Sequence, residues 1–257
     1  MNEFTAPHHT AVAQLTSPGA PFEVEDRSRG GYTVKAYKNA ERNLSAVMAP
    51  GRAFADAIFL EYLDQSWTFS AFFQATDTLA GYLHLHCGIQ PGDRVAIAMR
   101  NRPEWLIAFA AIIECGAVAV PLNSWGKAIE LQQGLTDSEA KLVICDAARL
   151  AFIRAENSDA RTLCLDEETA EPADHAWSQA LGSGCQSPAV DANPADPAIM
   201  LFTSGTAGRP KGAMFSHAHC CQSLMNIEFI GAATYMTNTD AMNRQLSSGI
   251  APKTLLA

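Results

Sequence analysis

Met200-Leu-Phe-Thr-Ser-Gly-Thr-Ala-Gly-Arg-Pro-Lys-Gly-Ala213 is an apolar run that breaks into hydroxyls and glycines and closes on a lysine. Ile199 to Phe202 carry the uninterrupted apolar character of a buried strand. The polar residues after them are therefore expected at the strand's carboxyl end, where open α/β sheets bind ligands. Gly205, Gly208 and Gly212 let the backbone bend and approach an anion closely, because glycine tolerates positive φ and has no Cβ. Thr203, Ser204 and Thr206 supply hydroxyl donors, and Lys211 supplies positive charge. Crowded behind a buried strand, these residues predict a polyphosphate-holding loop over 203–212 rather than a plain connection. It is not a Walker A loop, since Lys211 lies between Pro210 and Gly212 where that motif needs Gly-Lys-Ser/Thr. Nor is it a nucleophile elbow, because no Gly-x-Ser-x-Gly surrounds Ser204.

Upstream of the loop, apolar runs of strand length alternate with helical patterns. Ala57 to Tyr62 and Trp67 to Phe69 read as a strand pair, followed by a helix from Ser70 to His86. Its Phe72, Phe73, Thr76, Leu79, Ala80 and Leu83 recur at helical spacing and are expected in the core. Strands are predicted at Arg94–Met99, Ala117–Val120, Leu142–Cys145 and Thr162–Leu165, with helices at Glu104–Cys115, Ala128–Leu135 and Arg149–Glu156 between them. Such alternation implies an α/β fold, a layered, Rossmann-like parallel sheet with covering helices. No Gly-x-Gly-x-x-Gly occurs, so nicotinamide binding does not follow from the layering.

Two stretches carry little pattern. Residues 1–40 read as a loose N-terminal extension, interrupted by Pro18, Pro21 and Gly30-Gly31. Residues 166–197 read as an acidic, proline-containing surface connection, with Asp166-Glu-Glu168 as a solvated face.

Composition limits the function classes. The 257 residues are 48% hydrophobic and 18% charged, which is globular rather than disordered. The net charge of −9 argues against a nucleic-acid or anionic-lipid partner. Seven cysteines without a Cys-x-x-Cys pair predict neither a disulfide framework nor a tetrahedral zinc site, and reduced thiols in a cytoplasmic setting are the simplest expectation. Cys220 and Cys221 beside His217 and His219 do not form a metal site, because adjacent helical residues point in different directions. His84, His86 and Cys87 are expected to close a helix. Trp105 to Leu122, apolar but for Glu114, is long enough at first glance to span a bilayer, but Asn101 to Pro103, Gly116 and Pro121 divide it into a buried helix and a buried strand, so no transmembrane segment is predicted. No signal peptide is expected, since the first 26 residues hold no Lys or Arg and no continuous apolar core.

Thr203-Ser-Gly-Thr-Ala-Gly-Arg-Pro-Lys211 resembles the signature loop of the AMP-forming acyl-CoA synthetases and their adenylating relatives. Trp67-Thr-Phe-Ser, Gly92-Asp-Arg-Val-Ala-Ile97, Asn101-Arg-Pro-Glu104, Gly116 to Asn123 and Asp137-Ser-Glu-Ala-Lys141 agree with it in the same order. The resemblance covers residues 40 to 220 and implies a two-step ligase. A carboxylate attacks the α-phosphorus of ATP to give an acyl-adenylate and pyrophosphate, and coenzyme A then displaces AMP. It also implies that Thr203, Ser204 and Thr206 donate to phosphate, that Gly205, Ala207 and Gly208 present amides, that Lys211 balances charge, and that Mg²⁺ neutralises the phosphates. Ala207 departs from the hydroxyl residue usual in the family, which removes one side-chain contact.

Pro252 to Ala257 have the look of a strand that has just begun, and no counterpart of the family's adenine-binding segment, ribose-binding aspartate, hinge or C-terminal lysine is found. Residues 41–257 are therefore expected to be a partial AMP-binding domain, the first half of a ligase's large domain and inactive alone. The competing expectation is a short non-catalytic nucleotide-binding or scaffolding module that keeps only the phosphate loop.

Overall fold

The computed structural model describes residues 5–156, 158–166, 169, 171–188, 190–203 and 210–237. The chain divides into two compact units, Arg42–Cys220 and a smaller one made of Met1–Glu41 with Cys221–Ala257.

In the smaller unit, α1 (Thr5–Thr16) precedes an antiparallel hairpin of β1 (Val24–Arg29) and β2 (Tyr32–Tyr37). The extension expected over residues 1–40 is thus built of elements, and Pro18, Pro21 and Gly30-Gly31 fall between them rather than preventing them. Phe22, Tyr37 and Phe229 pack as a ring cluster with centroids 5.6–6.1 Å apart, and Gln222 bonds both the N–H and the C=O of Tyr37.

The larger unit opens with α2 (Leu44–Met48), then a strand pair, β3 (Ile58–Tyr62) and β4 (Gln65–Thr68), leading into α3 (Phe69–Leu85). Thr68 caps α3 by accepting the Ala71 N–H at 3.1 Å, which satisfies one of the free amides of the first turn. Then follow β5 (Arg94–Ala98), α4 (Pro103–Glu114), β6 (Val118–Pro121), α5 (Ala128–Ser138), β7 (Leu142–Cys145), α6 (Ala147–Ala155), β8 (Thr162–Cys164), β9 (His175–Ala176), α7 (Trp177–Leu181), β10 (Pro197–Thr203) and β11 (Lys211–Ser216). The main sheet has the order β11-β10-β6-β5-β7-β8-β9. Its ladders from β10 to β9 are parallel, and β10–β11 is antiparallel. After β5 the chain steps to β6 on one side and then to β7 on the other, the reversal that characterises doubly wound sheets.

Both faces of the sheet are covered over β5, β6 and β7, which explains their nearly continuous apolar sequences. One core joins Val95, Ile97, Ala119, Leu142 and Ile144 to Leu79, Leu83, Ile107, Ala111 and Ile112 of α3 and α4. The other joins Ala96, Ala98, Val118, Val120, Val143 and Cys145 to Leu131 and Leu135 of α5 and Leu150 and Ile153 of α6. Among the described residues no helix is long and apolar enough to cross a membrane.

Three sequence expectations are corrected. The strand expected to be buried throughout, Ile199–Phe202, is buried only at alternate positions: Met200 is 9% exposed and Leu201 41%, as the pleat of a strand with one covered face requires. The loop expected over 203–212 ends earlier, because a strand, β11, begins at Lys211. The acidic connection is not wholly superficial, because Trp177 and Ala180 of α7 enter the first core.

Pro103 begins α4, where a missing N–H costs nothing, and Gly116 ends it at φ +66°, with the space of a Cβ only 2.7 Å from Val190 Cγ1. Gly116→Ala is expected to lower unfolding stability by about 1–3 kcal/mol through backbone strain and crowding. The urea midpoint measures it, and an unchanged midpoint would contradict this account of the helix end.

Candidate phosphate-binding hairpin

β10 and β11 pair in register, with Met200 opposite Met214, Leu201 opposite Ala213, Phe202 opposite Gly212 and Thr203 opposite Lys211. Cross-strand partners project to the same face, so the hydroxyl of Thr203 and the amine of Lys211 stand side by side where the hairpin opens. Thr203 Oγ1 donates to the Lys211 carbonyl at 3.5 Å, and both residues are exposed. The structure therefore brings together the first and last members of the expected site. Ser204, Gly205, Thr206, Ala207 and Gly208 lie outside the described residues. Lys211, read from the sequence as a loop residue, is the first residue of a strand. Gly212 was expected to let the backbone approach an anion. Instead the Met200 side chain occupies the space a Cβ would fill, so its smallness serves packing.

At the far end of β11, Ser216 and His219 cap α8 (His217–Thr237) reciprocally. His219 N–H donates to Ser216 Oγ at 3.3 Å, and Ser216 N–H donates to His219 Nδ1 at 3.1 Å. This is a capping box with an imidazole in place of the usual Glu or Gln. His217, 0% exposed, accepts the Leu44 N–H on Nδ1 at 3.2 Å. In the neutral ring the hydrogen then sits on Nε2, a buried atom with no hydrogen-bond partner among the described residues. Burial lowers the affinity of this ring for a second proton, and a cation at the first turn of α8 would also oppose the helix dipole.

His175 behaves alike. Its Nε2 lies 3.3 Å from the Arg161 guanidinium, which can only donate, so Nδ1 carries the hydrogen toward Tyr82 Oη at 3.0 Å. Burial first, and Arg161 second, lower its pKa. For both rings the folded value lies below the unfolded one, so their stabilising contribution is complete above the unfolded pKa of about 6.5 and is lost as pH falls through the folded value. Urea midpoints are expected to fall between pH 7.5 and pH 5, and His217→Asn, whose amide oxygen can still accept from Leu44, is expected to flatten that fall. An equally steep fall in the variant would remove His217 from the account.

The remaining candidates resolve structurally. Asp166 pairs with Arg102 at 3.3 Å and accepts the Ala147 N–H at 2.7 Å, so it joins the carboxyl ends of strands; Glu167 and Glu168 lie outside the described residues. His84 Nδ1 meets the Ile89 carbonyl at 3.1 Å, consistent with a helix ending there. No group of three or more His, Cys, Asp or Glu among the described residues could hold a metal ion, and none of the seven cysteines is joined in a disulfide. The cluster at the sheet's carboxyl edge was not singled out from the sequence. There Asp146 caps α6 through the Arg149 N–H at 3.0 Å and also pairs with the Arg149 side chain. Its signal was the Asp three residues before Arg at a strand–helix junction.

The sheet is doubly wound, as in many α/β domains, and a Gly-containing stretch of sequence, 204–209, follows β10. Residues 49–247 match the AMP-binding enzyme family, and the chain belongs to it. It is similar to the 2-succinylbenzoate–CoA ligase of Bacillus velezensis, 35% identical over 158 residues, which are 61% of this chain and 30% of that ligase. It is also similar to nonribosomal peptide synthetase GRA1 of Gibberella zeae, 31% identical over 147 residues, 57% of this chain and 2% of that protein. Among solved structures, the anthranilate CoA ligase AuaEII in complex with anthranoyl-AMP aligns with a TM-score of 0.62 at 21% identity, over 69% of this chain and 35% of that one. That likeness concerns the fold alone. The chain spans about a third of the length of these CoA ligases.

Proposed function

We propose that this chain provides the phosphate-handling, N-terminal part of an ATP-dependent carboxylate-activating ligase of acyl-CoA synthetase type. Residues 41–257 act as the partial AMP-binding domain behind an N-terminal segment at 1–40. The reaction joins a small-molecule carboxylate to AMP with release of pyrophosphate and then passes the acyl group to coenzyme A. The observation that carries this reading is the registered Thr203–Lys211 pair at the mouth of the β10–β11 hairpin.

Two anionic reactants must meet while pyrophosphate leaves, so donors that hold the β- and γ-phosphates and leave the α-phosphorus open lower the barrier. Thr203, Ser204 and Thr206 donate through hydroxyls, Gly205, Ala207 and Gly208 through backbone amides, and Lys211 supplies charge. An ammonium repels a cation and none of these residues carries a carboxylate, so none of them is assigned to Mg²⁺. When bound, that ion would add positive charge to the phosphates themselves.

The test is ATP–pyrophosphate exchange over a panel of fatty, aryl and amino acids, run on this chain and on the longest polypeptide encoded with it, alongside direct ATP binding. Exchange by the longer polypeptide with at least one acid, and weak ATP binding without exchange by the 257 residues, is expected. ATP binding without exchange by either would favour a non-catalytic nucleotide-binding or scaffolding module. No ATP binding by either would end the phosphate-loop reading.

A further inference from the structure

Cys145 and Cys164 end β7 and β8 and are direct partners across the parallel ladder. Partners in register project to one face of a sheet, and adjacent strands lie about 4.8 Å apart, a separation from which a disulfide closes with small side-chain movement. Both side chains belong to the core on the α5–α6 face, and their thiols are within hydrogen-bonding reach of each other. Cys145 is 0% and Cys164 2% exposed, and the nearest solvated side chain on that strand's continuation is Asp166, 35% exposed, so a small neutral oxidant has to enter from the carboxyl end of the ladder.

The two thiols are unequal. Hydrogen bonds from the Cys145 thiol and then from the Asp166 N–H hold Cys164 down at about 7, in spite of its burial. The same thiol contact and burial push Cys145 well above its ordinary value. Elsewhere burial pushes Cys87 up to about 11 and Cys115 up to about 12, and raises Cys220. The thiolate is the reactive form, so Cys164, the member held down, is the one to react first, with Cys145 beside it in the ladder.

We propose that Cys145 and Cys164 form a hydroperoxide-sensitive dithiol in which Cys164 is oxidised first and Cys145 resolves it to a disulfide. The Cys164 sulfur attacks one peroxide oxygen; an S–O bond forms, the O–O bond breaks, and the leaving hydroxide takes up the thiol proton as water. The Cys145 sulfur then attacks the sulfenic sulfur; the S–S bond forms, the S–O bond breaks, and the departing hydroxide leaves as water with the Cys145 proton. Two thiols and one hydrogen peroxide become one disulfide and two waters, with the sulfurs oxidised and the peroxide oxygens reduced. The product ties the carboxyl ends of β7 and β8 together.

The test treats the 257-residue chain with hydrogen peroxide at pH 7.5, blocks the remaining thiols by alkylation, and maps the peptides by mass. A dithiothreitol-reversible Cys145–Cys164 cross-link, lighter by two hydrogens, is expected ahead of oxidation at Cys185 or Cys220. In Cys145→Ala, dimedone is expected to trap a sulfenic acid on Cys164. In Cys164→Ala, loss of the Cys145 thiol is expected to slow at least about tenfold. Oxidation that reaches Cys185 or Cys220 first with no cross-link in the unaltered chain would overturn the proposal, whether or not either variant folds. Dimedone on Cys145 in preference to Cys164 would overturn the assigned order.

Discussion

Replacing Lys211 by alanine is expected to lower ATP–pyrophosphate exchange about tenfold to a thousandfold in the polypeptide that carries it out, the range for losing one charge-assisted phosphate contact. The backbone of Lys211 stays paired with Thr203 and its side chain is exposed, so stability should change by less than about 0.5 kcal/mol. Loss of exchange with an unchanged urea midpoint would therefore localise the effect to the side chain. Lys211→Arg, which keeps the charge, is expected to fall between the two. Unchanged exchange in the alanine variant would sink the role given to Lys211.

Leucine at Gly81 is expected to cost about 3 kcal/mol or more, a large part of the margin of about 5–15 kcal/mol that a domain usually has. Gly81 lies in α3, and the space where its Cβ would stand is already taken by the backbone of Gln186, with the nitrogen and carbonyl carbon both at 2.7 Å. A flexible side chain could turn aside, but a peptide unit can move only with the segment that carries it. Gln74→Leu, on the exposed side of the same helix, is the control and should change stability by no more than about 0.5 kcal/mol. Equal urea midpoints for the two variants would show that the 186 segment is not packed on the helix.

The fold was legible wherever local signals agreed with burial. The apolar runs of β5 and β7, the helical spacing of Phe72 to Leu83 in α3, Pro103 opening α4 and Gly116 closing it each placed an element to within a residue or two. What escaped notice is held by partners distant in sequence. Val24–Arg29 lacks alternating apolar residues and is a strand through its ladder to Tyr32–Tyr37. Lys211–Ser216 begins with lysine and glycine and is a strand because β10 offers it an edge. Trp177 sat in a proline-rich stretch whose composition hid a buried indole. At the candidate site, residue types gave away Thr203 and Lys211, but their opposition is a fact of pairing that no local pattern encodes. The contact between Cys145 and Cys164 depends on register in the same way.

The ladder between β10 and β11 also sets what kinds of length change this region can accept. Thr203 and Lys211 are matched at its last rung, so residues gained or lost between them leave both side chains on their shared face. Losing a single residue from 212–215 while Ser216 and His217 hold their places would draw Lys211 one rung inward. Successive side chains alternate in direction, so its amine would turn to the face that carries Phe202 and Met200. The connection can drift in length, whereas the strand that follows it is constrained in parity.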